Sequence, residues 1–313
     1  MTRIKISYPF PDWPLSRQTP GSSGVWNETA FFINPDAEEE AKGFDAWFVL
    51  DKLVKPHEKT LCPTENIICI TWEPPTIRKY SNLFLKQFAQ VITCHPGIKH
   101  PRRHFYIQGH PWFVNKSWDE LAADTLPAKT KTISVITSNK TFSEGHLRRY
   151  EFCLKLKKHF GDAIDLFGRG LKDFDDKWDV LAPYKYSIAI ENADVDDWIT
   201  EKLFDCYLAA SFPFFYGCPN ISKYFAPDSY ERIDIYKPDE ARATIEKILS
   251  DPGHYETHLP ALLKAKKQCL DEYNIFPLMH LYYKDNLAKA APRKWNTLQY
   301  ESALFYRLTK RFF

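Results

Sequence analysis

The chain has 313 residues, 44% hydrophobic and 16% aromatic, a composition that excludes disordered and fibrous classes and leaves room for two domains with separate cores. The formal net charge of +2 argues against bulk electrostatic capture of nucleic acid, which needs a strongly basic face. The start, MTRIKISYPFPDWPLSRQ, has no apolar core of signal-peptide length, no later segment is apolar for long enough to span a bilayer, and the seven cysteines form no C-x-x-C pair. The reading is a cytosolic protein with reduced, mostly buried thiols.

Along the first half, short apolar runs predict strands at RIKISY (3–8), AWFVLD (46–51), NIICITW (66–72), AQVITC (89–94) and HFYIQG (104–109), with a helix over TIRKYSNLFLKQF (76–88). Residues 115–131 are polar, contain Pro127 and end in Lys131, which suits an interdomain linker. Strands are then predicted at 132–139, 163–168, 186–190, 212–217 and 231–236, alternating with helices over 146–160, 198–210 and 238–251. That alternation implies right-handed crossovers and a parallel sheet, so the second half reads as a Rossmann-like α/β domain.

Ligands of such domains sit outside the carboxyl ends of the strands. Ser138, Asn139, Gly168, Arg169, Glu191, Asn192 and Gly217 therefore carry the most interest. No G-x-G-x-x-G follows the first strand of this domain, so a nicotinamide or flavin cofactor is not supported. A helix starting near Trp198 offers free N–H groups and a positive dipole end to a phosphate, with Thr200, Glu201 and Lys202 in or beside its first turn. Lys202 adds a full charge for a diphosphate and Glu201 can accept from sugar hydroxyls; the plainer reading is a solvated lysine and an acid that only suits the dipole.

Asp194 and Asp196 form a D-x-D, which can hold a divalent cation on a nucleotide-sugar diphosphate or serve only as a solvated connection. Pro101 lies between His100 and His104 and spoils a helical ligand pair, so no zinc site is expected. Glu73 directly follows a predicted strand and is itself followed by Pro74 and Pro75, which fix the backbone. Its carboxylate is either a rigidly presented general base or a turn acid.

The stretch YKYSIAIENADVDDWITEKLFDCYLAASFPFFYGCPNISKYFAPD (184–228) keeps Glu191-Asn192, Thr200-Glu201-Lys202, Pro213, Gly217, Pro219-Asn220 and Pro227-Asp228 at fixed spacings. Together with VITSNKTFSEGHLRRYEF, IDLFGRG, WEPP and GHPWFV, it resembles the α-1,3/4-fucosyltransferases of glycosyltransferase family ten over roughly residues 66–250. The resemblance implies a GT-B fold of two Rossmann-like domains facing a cleft: 1–125 on the acceptor side, 126–285 for the donor, and a helical tail over 286–313. It implies inverting transfer from GDP-fucose to a hydroxyl of an N-acetylglucosamine- or glucose-containing glycan, with no metal required.

The family's base maps to Glu73 and its diphosphate arginine to Arg149, with Arg148 as the competing register. Ser138, Asn139, Arg169, Glu191, Asn192, Trp198, Thr200, Glu201 and Lys202 map to the donor site. Departures at Pro74, Ala193 and Trp198 keep open a same-fold transferase with another nucleotide sugar, and a non-catalytic carbohydrate or nucleotide binder is the remaining class. The tail RKWNTLQYESALFYRLTKRFF (293–313) mixes aromatic and basic residues; it either docks across the domains or touches a membrane surface peripherally.

Overall fold

A computed structural model of the protein describes residues 1–10, 14–123, 125–139 and 144–301. The chain divides into two compact units, Met1–Gly109 with Ile275–Phe313, and His110–Asn274. The division falls after Gly109 instead of the expected 125, because residues 110–123 fold with the second unit. Within the expected linker lies a short helix whose Ser117 and Glu120 form a capping box.

The first unit is built on β1 (Thr2–Ser7), β2 (Val25–Trp26), β3 (Thr29–Ile33), β4 (Ala46–Leu50), β5 (His57–Cys62), β6 (Ile67–Ile70), β7 (Gln90–Thr93) and β8 (Arg103–Phe105), with helices α1 (Ala37–Lys42) and α2 (Asn82–Leu85). Seven of these strands form one sheet in the order β2–β3–β1–β4–β6–β7–β8, parallel except for the β2–β3 pair. The central strands AWFVL, IICI and QVIT are buried at every position, as expected where both faces of a parallel sheet are covered.

The helix expected over 76–88 is reduced to α2, capped by Ser81. Ahead of it, Arg78 and Tyr80 both bind the Asp51 carboxylate at the end of β4, which holds this segment in a turn. The strand expected at 104–109 stops at Phe105, and Gly109 turns the chain with φ +65°.

The second unit contains α3 (Trp118–Ala122), β9 (Lys131–Ile136), α4 (Glu144–Phe160), β10 (Ile164–Phe167), β11 (Tyr184–Ile190), α5 (Glu201–Leu208), β12 (Phe212–Tyr216), β13 (Glu231–Arg232), α6 (Pro238–Leu249) and α7 (His254–Gln268). Its five strands are all parallel, in the order β10–β9–β11–β12–β13. The chain then returns to the first unit as α8 (Ile275–Asn286) and β14 (Lys294–Gln299).

The first part of the tail is thus not helical. β14 pairs antiparallel with β5, placing Trp295 opposite Leu61, and the alternating run Trp295-Asn296-Thr297-Leu298 buries Leu298. Residues 302–313, which carry most of the tail's choice between docking and membrane contact, lie outside the described residues. Among the described residues no helix is long and apolar enough to cross a membrane.

Candidate active site

In a doubly wound sheet the ligand crevice lies where the strand order reverses, outside the carboxyl ends of the two strands that flank the reversal. In the second unit those strands are β9 and β11. A cavity of about 450 Å³ opens there, and Ser138, Gly168, Arg169, Glu201 and Lys202 are among the residues that line it. Gly168 makes the approach possible: its φ is +127°, and a Cβ at that position would stand 1.6 Å from the carbonyl oxygen of Thr137. Gly168→Ala is expected to cost about 3 kcal/mol in stability, read as a lower melting temperature together with weakened donor binding.

Arg149 projects from α4 into this cavity and is only 6% exposed. One terminal nitrogen, Nη1, donates to Asn192 Oδ1 at 2.6 Å, and Nη2 donates to Ser138 Oγ at 3.4 Å. Among the described residues, Arg149 has no ion pair and nothing accepts from its buried Nε. Burial pushes its guanidinium down from the ordinary arginine value, opposed by Cys153, Glu191 and Glu201. A buried cation of this kind, neutralised by no carboxylate in contact, is where an anionic ligand is expected. Arg148 is half exposed and lies near Glu144 and Glu151 on the helix surface, so the helical register turns Arg149 into the cavity.

Thr200 caps α5 through its side chain, and both its N–H and its hydroxyl donate to Glu191 Oε1, at 2.8 and 2.7 Å. Glu191 is fully buried and sits 3.3 Å from Lys202 Nζ, so it is spent on holding the start of α5 and its lysine. The same Nζ lies 3.0 Å from Thr200 Oγ1 and 3.2 Å from Glu201 Oε1. Burial works against the charge on Lys202, but Glu191 and Glu201 outweigh it and raise its pKa.

Burial alone would raise the Glu201 carboxyl; Lys202, Lys177 and His110 outweigh it and pull the pKa down from 4.5 to about 2. The ionised Glu201 therefore stabilises the fold above its ordinary value, and this contribution is lost as pH falls from 4.5 toward 2. The melting-temperature gap between wild type and Glu201→Gln should be widest above pH 4.5 and shrink on acidification. A gap that stays constant across a pH series would contradict that assignment.

Of the expected donor residues, Ser138, Arg149, Arg169, Glu201 and Lys202 line the cavity. Asn139, Glu191, Asn192, Trp198 and Thr200 are not among the residues that line it. Asn192 holds Arg149, and Asn139 packs over Gly170. Trp198 is 3% exposed and meets His110 edge-on at 5.1 Å, so it is a packing residue and not a ring open to a ligand. Asp194 is 3.8 Å from Arg232, while the neighbouring Asp197 is tied to Asn220, Lys223 and Tyr224. Among the described residues no three His, Cys, Asp or Glu side chains are grouped to hold a metal ion.

Lys177 was not singled out by the sequence. It enters the same cavity from the segment between β10 and β11, with Nζ 2.7 Å from Asp205 Oδ2 and 4.0 Å from Glu201 Oε1. Asp205 also accepts from the Phe113 N–H at 2.9 Å. Lys177 opens a 3-10 turn of only four residues, Lys177–Val180, too short to show a period, and a lone lysine among acids gives no signal of its own.

Glu73 belongs to the first unit, half-buried just beyond β6. The His95 Nε2 lies 2.6 Å from its carbonyl, so that nitrogen carries the proton, and the Glu73 N–H donates to Tyr80 Oη at 3.3 Å. Tyr80 donates onward to Asp51, and burial pushes His95 down from its ordinary value. The backbone that presents Glu73 is therefore fixed by two side chains as well as by Pro74 and Pro75.

Residues 126–262 match the family described as glycosyltransferase family 10 (fucosyltransferase) C-term. Over 97 residues, 30% of the chain, the sequence is 35% identical to GDP-fucose protein O-fucosyltransferase 3 of Mus musculus, covering 20% of that protein. Over 129 residues, 41% of the chain, it is 29% identical to the alpha-(1,3)-fucosyltransferase FucT of Helicobacter pylori, covering 26% of it. The chain thus matches about a fifth to a quarter of the length of these curated relatives. Among solved structures, an alpha1,3-fucosyltransferase with GDP overlays with a TM-score of 0.52 at 16% identity, covering 88% of this chain and 92% of that one. An alpha-glucosyltransferase in complex with UDP and DNA overlays at 0.54 with 8% identity, covering 90% of this chain and 98% of the other. At these identities the overlays speak for the fold alone.

Proposed function

We propose that the chain, which has the α/β GT-B fold and matches glycosyltransferase family 10 over residues 126–262, is an inverting α-1,3/4-fucosyltransferase using GDP-fucose. The acceptor is a hydroxyl of an N-acetylglucosamine- or glucose-containing glycan. The observation that carries this reading is the pair of cations at one switch-point cavity: buried Arg149, in contact with no carboxylate among the described residues, and Lys202 in the first turn of α5.

In this proposal Arg149 and Lys202 bind the diphosphate and neutralise the charge that grows on it as the sugar departs. The positive end of the α5 dipole, beside which Lys202 stands, adds to that field. Glu201, kept ionised by its lysines, accepts from hydroxyls of the sugar-nucleotide. Glu73 takes the proton of the acceptor hydroxyl as its oxygen attacks the anomeric carbon opposite the diphosphate, which inverts the configuration. A binder that had lost catalysis would be free to lose Glu73, Arg149 and Lys202, and the chain retains all three. Seven free thiols fit a reducing, cytoplasmic setting, which is part of the same proposal.

GDP is expected to raise the melting temperature more than UDP at equal concentration, through preferential binding to the folded state. Equal shifts, or no shift with either nucleotide, would overturn the donor assignment.

A further inference from the structure

The first unit carries a cavity of about 360 Å³ that none of the fucosyltransferase-like motifs touches. It opens between α1, the loops that follow β3 and β4, and the β5–β14 ribbon. Its volume lies within the range of sites that hold small organic ligands, roughly 300–1,000 Å³.

Three features of its wall define the chemistry of an occupant. Trp295, on β14, is 49% exposed although its strand is paired along its whole length, and Lys59 Nζ stands 4.8 Å from its ring centre. Glu40 offers a carboxylate whose Oε1 binds Lys5, whereas its buried Oε2 has no hydrogen-bond partner among the described residues. An acceptor oxygen left unmade in this way costs free energy that a hydroxyl donor would recover. By contrast Glu58 is spent, accepting from the Val54 N–H at 2.6 Å and from Ser7 Oγ at 2.5 Å.

The charges decide between an ionic and a neutral ligand. Lys5, Lys55 and Lys59 are matched on the cavity wall by Asp36, Glu40 and Glu58, so no net field selects an anion or a cation. An aromatic surface with fixed donors and acceptors and no net charge suits a polyhydroxylated ring, whose C–H face packs on indole while its hydroxyls pair with carboxylate and ammonium. We infer that this cavity binds a neutral saccharide, as the part of the acceptor glycan away from the reacting hydroxyl. The acceptor role rests on the transferase reading given above; the saccharide binding does not.

The indole N–H cross-peak of Trp295 in the ¹⁵N-labelled full chain, identified with Trp295→Phe, is followed while lactose, maltose and N,N′-diacetylchitobiose are added, with sulfate as the charged control. At least one neutral disaccharide should move it saturably, and Trp295→Ala should weaken that binding about fivefold with an unchanged melting temperature. A cross-peak that no disaccharide moves, that sulfate moves as well, or binding that survives Trp295→Ala would overturn the inference. In transfer assays with GDP-fucose, Trp295→Ala should raise the acceptor KM about fivefold and leave the donor KM alone. Saccharide binding without any fucosyl transfer would refute the transferase reading and leave the binding site standing.

Discussion

Glu73→Gln is expected to retain GDP binding and to lower kcat for transfer by about 10³-fold, the scale of a lost general base. The amide keeps the size and shape of the carboxyl but cannot take a proton from the attacking hydroxyl. The position of the side chain should survive the change, because His95 and Tyr80 hold the backbone of Glu73. Parallel measurements of GDP affinity and single-turnover transfer separate the outcomes. A variant that transfers at the wild-type rate removes Glu73 from the mechanism, and equal losses of binding and turnover would make it a structural acid.

Lys202→Ala is expected to cost about 3 kcal/mol of stability, because it leaves the buried Glu191 without its charge partner. It should also weaken GDP binding by about 10²-fold through the loss of a charge-assisted contact to the diphosphate. A double variant distinguishes the two effects. Lys202→Met combined with Glu191→Gln removes the stranded carboxylate, so stability should recover while GDP affinity stays low. Recovery of both, measured by thermal melts and by titration with GDP, would reduce Lys202 to a structural partner of Glu191.

The second unit was readable from the sequence because its strands are nearly continuous apolar runs separated by polar turns, and because ligand residues of this architecture follow strand ends. Ser138 and Arg169 are marked by that rule, and the Glu201-Lys202 pair by the helix start that follows the third strand. The rule could not say which acid faces the cavity. Glu191 follows a strand and Glu201 opens a helix, and the fold spends Glu191 on Thr200 and Lys202 and leaves Glu201 on the wall. Nor could spacing choose between Arg148 and Arg149, neighbours about 100° apart around α4, of which only Arg149 is buried.

The first unit was less legible for a different reason. β5 pairs with β14 across more than two hundred residues of sequence, and the charged run HEKTLC alternates too weakly to announce a strand. The apolar stripe over 76–88 was real, but Arg78 and Tyr80 are committed to Asp51, and the turn they fix competes with the helix. Lys177 begins a four-residue 3-10 turn, Lys177–Val180, which is too short for a strand or helix period to mark it.

The most direct test of the donor chemistry is nucleotide release from a set of donors, GDP-fucose, GDP-mannose, UDP-glucose and UDP-N-acetylglucosamine, with and without a β-linked N-acetylglucosamine acceptor. GDP-fucose should be consumed fastest, and its turnover should depend on Arg149 and Lys202. Faster release from a UDP-sugar, with Glu73, Arg149 and Lys202 intact, would contradict the donor assignment.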